Sequence, residues 1–138
     1  MRKARPLLLV EDDSVDAMTI KRALDDIGSI DSMVHLTNGE QALDFLRSKA
    51  NDLPALILLD LNMPKMNGQE FLEEVRKDQD LCSIPVVVIT TSEDTSDIQE
   101  TFAQSIAGYM VKPIVYNRFV KMVETISDYW SLNVLPRR

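Results

Sequence analysis

The sequence predicts a single α/β domain built on a doubly wound parallel β-sheet. Five short apolar runs alternate along the chain with five segments of helical periodicity, and this alternation is typical of parallel strands joined by crossover helices. The length of 138 residues fits one domain with an adequate core. We therefore expect a core over about residues 6–130 and a short tail over 131–138.

The strands are expected where the apolar runs fall. The first, third and fourth runs are almost continuously apolar, as in strands buried on both faces, so these three should be central. The second run contains His35 and follows polar residues, which indicates an edge strand and a structural role for His35 rather than a phosphodonor role. The predicted strands are LLLV (7–10), MVHL (33–36), ALILL (55–59), VVVI (86–89) and GYMV (108–111).

The predicted helices carry apolar residues at helical spacing, which must pack against the sheet. Ser14 and Asn38 are suitable N-caps for the first two helices, and Gly28 follows the end of the first. The segments and their apolar stripes are 14–27 (Val15, Met18, Leu24, Ile27), 38–48 (Ala42, Leu43, Leu46), 67–77 (Phe71, Leu72, Val75), 95–106 (Ile98, Phe102, Ile106) and 116–130 (Phe119, Val123, Ile126, Trp130).

Composition excludes several classes of function. The formal net charge of −7 disfavours binding to nucleic acid or to anionic membrane, since both need basic surface. The apolar runs are far shorter than the roughly 20 residues of a membrane span. The single cysteine, Cys82, permits no intrachain disulfide, so the sequence indicates a reducing, cytoplasmic location.

Acidic, hydroxyl and basic residues follow the first, third, fourth and fifth predicted strands. In a parallel sheet the carboxyl ends of the strands meet at one edge, where ligands bind. Asp60 by itself could simply begin a turn. Four strand ends with complementary chemistry favour a site instead: Glu11, Asp12 and Asp13 follow the first strand, Asp60 the third, Thr90, Thr91 and Ser92 the fourth, and Lys112 the fifth.

This set of residues indicates phosphoryl chemistry. Glu11, Asp12 and Asp60 would repel one another, and Mg²⁺ is the cation that such carboxylates suit. Lys112 can pair with Asp60 when no ligand is bound. A carboxylate is a known nucleophile that forms an aspartyl phosphate, and a metal with a lysine would neutralise the charge on the transferring group.

Four segments in register resemble the signatures of the response-regulator receiver domain, the CheY-like family. They are LLLVEDD, LILLDLNMPKMNGQEFL, PVVVITTS and GYMVKP, and the resemblance covers roughly residues 6–130. It implies a (βα)5 flavodoxin-like fold with strand order 2-1-3-4-5. It also implies that Asp60 accepts a phosphoryl group from the phosphohistidine of a sensor histidine kinase, and that the chain catalyses only its own phosphorylation and dephosphorylation.

The resemblance assigns metal ligands by position. Asp12 corresponds to the direct Mg²⁺ ligand and Glu11 to the acid that acts through water. The metal would also take an oxygen of Asp60 and the backbone carbonyl of Asn62. Asp13 looks like the helix entry rather than a ligand.

The resemblance also assigns the groups that bind the phosphoryl and relay its presence. Lys112, Thr90 and Thr91 would bind the phosphoryl group. Thr90 and Tyr109 correspond to the switch pair, which biases the surface of the fourth helix, fifth strand and fifth helix, although Tyr109 could be only a half-buried strand aromatic. Pro113 implies a cis peptide bond before it.

Three other functions are alternatives to a phosphoacceptor. A haloacid-dehalogenase-type phosphatase would need an acid two places after the nucleophile, where this chain has Asn62. A flavin or nucleotide carrier would need a phosphate-binding loop after the first strand, where the sequence EDDS repels phosphate. The last alternative is a receiver-like protein-interaction module that works without phosphorylation.

A finer resemblance concerns the partners. The stretch TTSED, followed by Asp97 and Ile98, and the long last helix with a short tail resemble single-domain receivers paired with bacterial phytochromes. This implies a red-light-sensing histidine kinase as donor and no attached output domain. It also implies a homodimer, for which the apolar residues Tyr129 and Leu132 and their neighbours offer an interface.

Overall fold

The computed structural model describes residues 6–27 and 32–134, without the side chains of Asp26 and Ile27. Five parallel strands form one sheet in the order β2-β1-β3-β4-β5, so the predicted flavodoxin-like (βα)5 fold is confirmed. The elements are β1 Leu7–Val10, α1 Ser14–Ile27, β2 Met33–Leu36, α2 Gly39–Arg47, β3 Leu56–Leu59, α3 Gly68–Lys77, β4 Val86–Thr90, α4 Thr95–Phe102, β5 Gly108–Val111 and α5 Tyr116–Ser131.

Strand register brings the polar strand ends to the same level. Val10 of β1 lies opposite Leu36 of β2 and Leu59 of β3, so the next residue in each chain segment leaves the sheet at the same edge. The backbone amide of Asp60 donates to the carbonyl of Val10 over 3.0 Å. Glu11, directly after Val10, and Asp60 therefore emerge side by side.

Two apolar layers cover the two faces of the sheet. Alternate side chains of β1 divide between them: Leu8 and Val10 face one layer, Leu7 and Leu9 the other. The first layer packs under α2 and α3, and the second under α1 and α5. Fully buried core residues such as Phe71 hold this arrangement, and truncating a buried Phe to Ala typically costs about 3–5 kcal/mol.

The face that α1 buries differs from the prediction. Val15 and Met18 are 68% and 59% exposed, whereas the buried stripe is Ala17, Ile20, Ala23 and Leu24. This stripe packs in the apolar layer shared with α5, and it combines two alanines with Ile20 and Leu24. Leu24 was predicted correctly, and Gly28 and the side chain of Ile27 lie outside the described residues.

The first turn of α1 is capped by Asp13 rather than by Ser14. The Asp13 carboxylate accepts hydrogen bonds from the backbone amides of Val15 and Asp16 at 2.9 and 3.0 Å. Ser14 is instead the first helical residue. The expectation that Asp13 forms the helix entry is thereby confirmed.

Helix α4 is shorter than predicted and ends at Phe102 instead of residue 106. Ser105 adopts a left-handed backbone with φ of 59°, which a continuing helix does not allow. The Arg76 guanidinium donates hydrogen bonds to the backbone carbonyls of Gln104 and Ser105. These carbonyls follow the end of the helix, and Arg76 supplies their hydrogen-bond donor. Phe102, predicted to face the core, is 51% exposed.

The peptide bond before Pro113 is trans, like every other peptide bond of the described residues. The expectation of a cis bond there was wrong. The trans isomer is the favoured form of an X–Pro bond by about 0.5–1 kcal/mol, and the sequence alone does not decide the isomer.

Candidate functional site

The carboxyl ends of β1, β3, β4 and β5 surround one pocket of about 590 Å³. Every one of these strand ends was predicted to contribute a polar side chain, and residues from each line the pocket. The lining residues are Asp12, Asp13, Ser14, Val15, Asp16, Asp60, Asn62, Thr91 and Lys112.

Three carboxylates form the acidic part of this site. One oxygen from each of Glu11, Asp12 and Asp60 can be chosen so that all lie within 4.8 Å of one another. Glu11 and Asp60 are buried, with 1% and 6% exposure, while Asp12 is exposed. The predicted acidic cluster is therefore assembled, with one member open to solvent.

The buried position of Glu11 changes its protonation. Burial, reinforced by its hydrogen-bonded neighbour Asp60, raises the pKa of Glu11 to about 8 despite the opposing effect of Lys112. Glu11 and Asp60 are close together and largely shielded from water. Ionising both carboxylates at once is therefore unfavourable. A divalent cation would relieve that cost.

The ammonium group of Lys112 crosses to the acidic cluster from the end of β5. Its Nζ lies 2.6 Å from Oε1 of Glu11, 2.8 Å from Oδ2 of Asp16 and 3.4 Å from Oδ2 of Asp60. The expected pairing with Asp60 is present, but it is the longest of the three contacts. Asp16 was not predicted as a member of the site.

The turn after Asp60 depends on Gly68, the first residue of α3. A Cβ added at Gly68 would lie 2.6 Å from Cα of Leu61 and 2.7 Å from the carbonyl oxygen of Asp60. Only glycine lets α3 begin this close to the strand end. Asn67 and Glu70 form a reciprocal capping box that fixes the helix start, so the backbone that carries Asp60 is held from both sides.

The hydroxyl residues after β4 take different positions. Thr90 is fully buried, and its Oγ1 lies 3.5 Å from Nδ2 of Asn62 and 3.4 Å from the backbone nitrogen of Ser92. Thr91 is exposed and lines the pocket beside Asp60. The structure thus brings Thr91 to the ligand side and Thr90 to the side that faces the following loop.

Tyr109 lies on β5 and reaches the same loop. Its hydroxyl donates to the carbonyl of Ser92 over 3.0 Å, and its ring stacks on Phe102 with centroids 6.4 Å apart. Burial raises the pKa of Tyr109 above its ordinary value. Tyr109 is therefore more than a half-buried strand aromatic, because it binds the segment that follows Thr90.

His35 lies on the edge strand β2, as predicted, and supports the site from outside. Its Nε2 is 2.7 Å from the backbone carbonyl of Glu11. A carbonyl only accepts, so Nε2 must carry the proton in this contact. The imidazole helps to hold the peptide that leads from Glu11 to Asp12.

The donor set fits a hard divalent cation. Carboxylate oxygens from Glu11, Asp12 and Asp60 are the ligands that Mg²⁺ prefers, and the exposed position of Asp12 leaves room for the waters that Mg²⁺ retains. Burial raises the pKa of Glu11, and a bound cation would favour its charged form. The Mg²⁺ expected from sequence therefore suits these residues.

Sequence reasoning missed Asp16 and Arg76. Asp16 had one available signal, since it is an acid in the first turn of the helix that follows the acidic strand end. Arg76 binds backbone carbonyls of Cys82 and Ile84 as well as those after α4, and an arginine on a helix gives no sequence signal for such contacts.

Comparisons with known proteins agree with this fold and site. Residues 7–124 match the family model of the response regulator receiver domain. The probable methanogenesis regulatory protein FilR2 of Methanothrix harundinacea is 37% identical over 127 residues, covering 90% of this chain and 82% of FilR2.

Two solved structures of similar proteins superpose closely. The phosphorylated cyanobacterial phytochrome response regulator RcpA has a TM-score of 0.92 and 34% identity, with 98% of this chain and all of RcpA covered. The Mn²⁺-bound form of response regulator Rcp1 has a TM-score of 0.90 and 34% identity, with 96% and 99% covered. A protein of that name comes from Synechocystis.

These findings define first a class: an α/β signalling domain whose acidic pocket, at the carboxyl edge of a parallel sheet, fits a phosphorylation site. The chain belongs to the response-regulator receiver family of two-component systems. Receiver domains bind Mg²⁺ or Mn²⁺ at this pocket, so the predicted cofactor is confirmed. Within the described residues, none of the helices has the length and apolarity needed to cross a membrane.

Proposed function

We propose that this chain works in the cytoplasm, that Asp60 is its phosphoacceptor and that a sensor histidine kinase is the donor. The observation that carries this proposal is the setting of Asp60, a buried carboxylate grouped with Glu11 and Asp12 and 3.4 Å from the Lys112 ammonium. Placing a buried acid beside two other acids is costly, and the single 3.3 Å hydrogen bond that the Asn62 amide donates to Asp60 is a small return for that cost.

The chemistry follows from the side chains. An oxygen of Asp60 attacks the phosphorus of a phosphohistidine, a P–O bond forms, the P–N bond breaks, and the imidazole leaves with a proton from solvent. Lys112 supplies positive charge to the oxygens of the transferring group, and Thr91 offers a hydroxyl from the pocket rim. When bound, Mg²⁺ would neutralise further charge on that group, held directly by Asp12, Asp60 and the carbonyl of Asn62 and through water by Glu11.

The switch role is assigned to Thr90 and Tyr109. A phosphoryl group adds charge and acceptor oxygens, and the Thr90 hydroxyl can reorient toward it from its contacts with Asn62 and Ser92. Ser92 is hydrogen-bonded to Tyr109, so a shift of the loop after Thr90 reaches the surface formed by α4, β5 and α5. The chain acts as a phosphoacceptor that catalyses only its own phosphorylation and dephosphorylation.

The partners are proposed from the similar proteins. RcpA is a phytochrome response regulator, which favours a light-sensing histidine kinase as the donor for this chain. A homodimer is proposed from the end of α5, where Tyr129 is 61% exposed and Leu132 and Val134 are each 83% exposed.

The deciding experiment is phosphorylation with acetyl phosphate and Mg²⁺, followed by intact-protein mass spectrometry. We expect wild type to gain one phosphate and Asp60→Asn to gain none. Asp12→Ala should remain folded, because Asp12 is exposed at a strand end, and should lose Mg²⁺ affinity by calorimetry. If wild type gains no phosphate from acetyl phosphate or from a phosphorylated kinase, the phosphorylation-independent interaction module replaces this proposal.

A further inference from the structure

Lys112 contacts Asp16, a residue outside the proposed phosphoryl-binding group, more closely than it contacts Asp60. Its Nζ lies 0.6 Å closer to Asp16 than to Asp60, at 2.8 against 3.4 Å. The lysine side chain is only 7% exposed, so these contacts are shielded from water. Lys112 is therefore drawn toward α1 and away from the proposed phosphoacceptor.

Asp16 is a rigid anchor for this ion pair. Its backbone amide donates to the Asp13 carboxylate, which fixes the first turn of α1. The next residue, Ala17, is buried against the sheet. The Asp16 side chain belongs to α1 and lines the same pocket as Asp60.

The three N–H bonds of a lysine limit what it can hold. Glu11 and Asp16 take the two short contacts, and Asp60 receives the long one. Burial alone would lower the pKa of Lys112, but hydrogen bonds to Asp16 and Glu11 raise it, so both contacts favour the charged ammonium. A phosphoryl group on Asp60 would have to compete with Asp16 for this ammonium.

We propose that Asp16 is a positioning residue that competes with the phosphoryl group for Lys112 and thereby weakens the phosphorylated state. The inference rests on the proposed function of Asp60 and Lys112. By holding the Lys112 ammonium, Asp16 withholds a positive charge from the phosphoryl oxygens. Removing its charge therefore stabilises the phosphorylated state.

The test uses beryllium fluoride with saturating Mg²⁺, a stable mimic of the aspartyl phosphate, titrated by NMR into the full chain. We expect Asp16→Asn to bind the mimic about 3–10-fold more tightly than wild type. The fraction phosphorylated at steady state with acetyl phosphate should rise in parallel. A merely structural role would lower the melting temperature and weaken binding instead.

Asp13→Ser is the matched control. It removes a carboxylate from the same pocket wall, retains a good N-cap, and does not touch the contacts of Lys112. We expect its affinity for the mimic to stay within about twofold of wild type. Asp16→Gln provides a second charge-removing variant with higher helix propensity, should Asp16→Asn be poorly folded.

The outcomes separate the two proposals. If wild type neither binds the mimic nor accepts phosphate, the proposed function fails. If wild type does both and Asp16→Asn and Asp16→Gln match it within twofold, the role of Asp16 is wrong. An equal gain in Asp13→Ser would also overturn it, because pocket charge rather than the hold on Lys112 would then be the cause.

Discussion

Ser92 joins Thr90 to Tyr109 through its own backbone. The Tyr109 hydroxyl donates to the Ser92 carbonyl over 3.0 Å, and the Ser92 amide nitrogen lies 3.4 Å from Oγ1 of Thr90. One residue of the loop between β4 and α4 therefore contacts both members of the proposed switch. A movement of the Thr90 hydroxyl has a direct route to β5.

Thr90→Ala tests this route. We expect phosphorylation by acetyl phosphate to persist, while the phosphorylation-induced NMR shifts around Tyr109 fall to less than half of their wild-type size. Thr91→Ala is the control, because Thr91 makes the same chemical change at the exposed pocket rim. Thr91→Ala should alter the lifetime of the aspartyl phosphate and leave the phosphorylation-induced NMR shifts at Tyr109 unchanged. Wild-type shifts in Thr90→Ala would exclude the coupling.

The raised pKa of Glu11 predicts how pH affects the metal-free protein. Between its ordinary value and about 8, the unfolded chain loses the Glu11 proton while the folded chain keeps it. The free energy of unfolding should therefore fall as pH rises through this window, by about 3–4 kcal/mol between pH 5 and 8. Urea denaturation at pH 5 to 8 measures this fall.

Two controls identify Glu11 as the source of this pH dependence. Glu11→Gln removes the titrating group and should flatten the profile. Saturating Mg²⁺ should also oppose the fall, because it favours the charged carboxylates. Lys112 remains charged throughout, since hydrogen bonds raise its pKa more than burial lowers it. The assignment to Glu11 would be contradicted if the free energy of unfolding of the metal-free wild type rose with pH while that of Glu11→Gln did not.

Gly68→Ala should distort the backbone that carries Asp60. The added Cβ would meet the backbone of Asp60 and Leu61 at 2.6–2.7 Å, closer than real contacts allow. We expect a loss of about 1–3 kcal/mol in the free energy of unfolding and slower phosphorylation. Gly108→Ala is the matched control, because its Cβ would meet only Val87 side-chain atoms at 3.9 Å. Equal effects of the two variants would refute the steric explanation.

The exposed end of α5 predicts the oligomeric state. Wild type should sediment near twice the chain mass at micromolar concentration. Changing both Tyr129 and Leu132 to Glu, or deleting residues 131–138, should shift the protein toward monomer, since buried charge opposes an apolar interface. Val15→Glu is the control, because it replaces a similarly exposed apolar residue on α1. This variant should leave the sedimentation mass unchanged. A wild type that is monomeric with and without phosphorylation removes the dimer.

Sequence by itself determined the fold class and which residues end the strands. Continuous apolar runs identified the central strands, because a parallel strand buried on both faces must be apolar along its length. Leu56–Leu59 is an example. The strand ends then had to meet at one edge, so Glu11, Asp12, Asp60 and Lys112 could be grouped before any coordinates. The N-cap Asn38 was likewise readable from local chemistry, whereas the cap of α1 was expected at Ser14 and is Asp13.

Only the tertiary structure decided which helix face is buried and how the site divides its charges. Val15 and Met18 are exposed because α1 turns the face with Ala17, Ile20, Ala23 and Leu24 to the sheet, and two apolar stripes on one helix leave this choice to tertiary packing. The trans bond before Pro113 and the end of α4 at Phe102 depend on contacts distant in sequence, such as those of Arg76. Lys112 lies nearer Asp16 than Asp60 for the same reason: 96 residues separate that pair, and only packing sets their 2.8 Å contact.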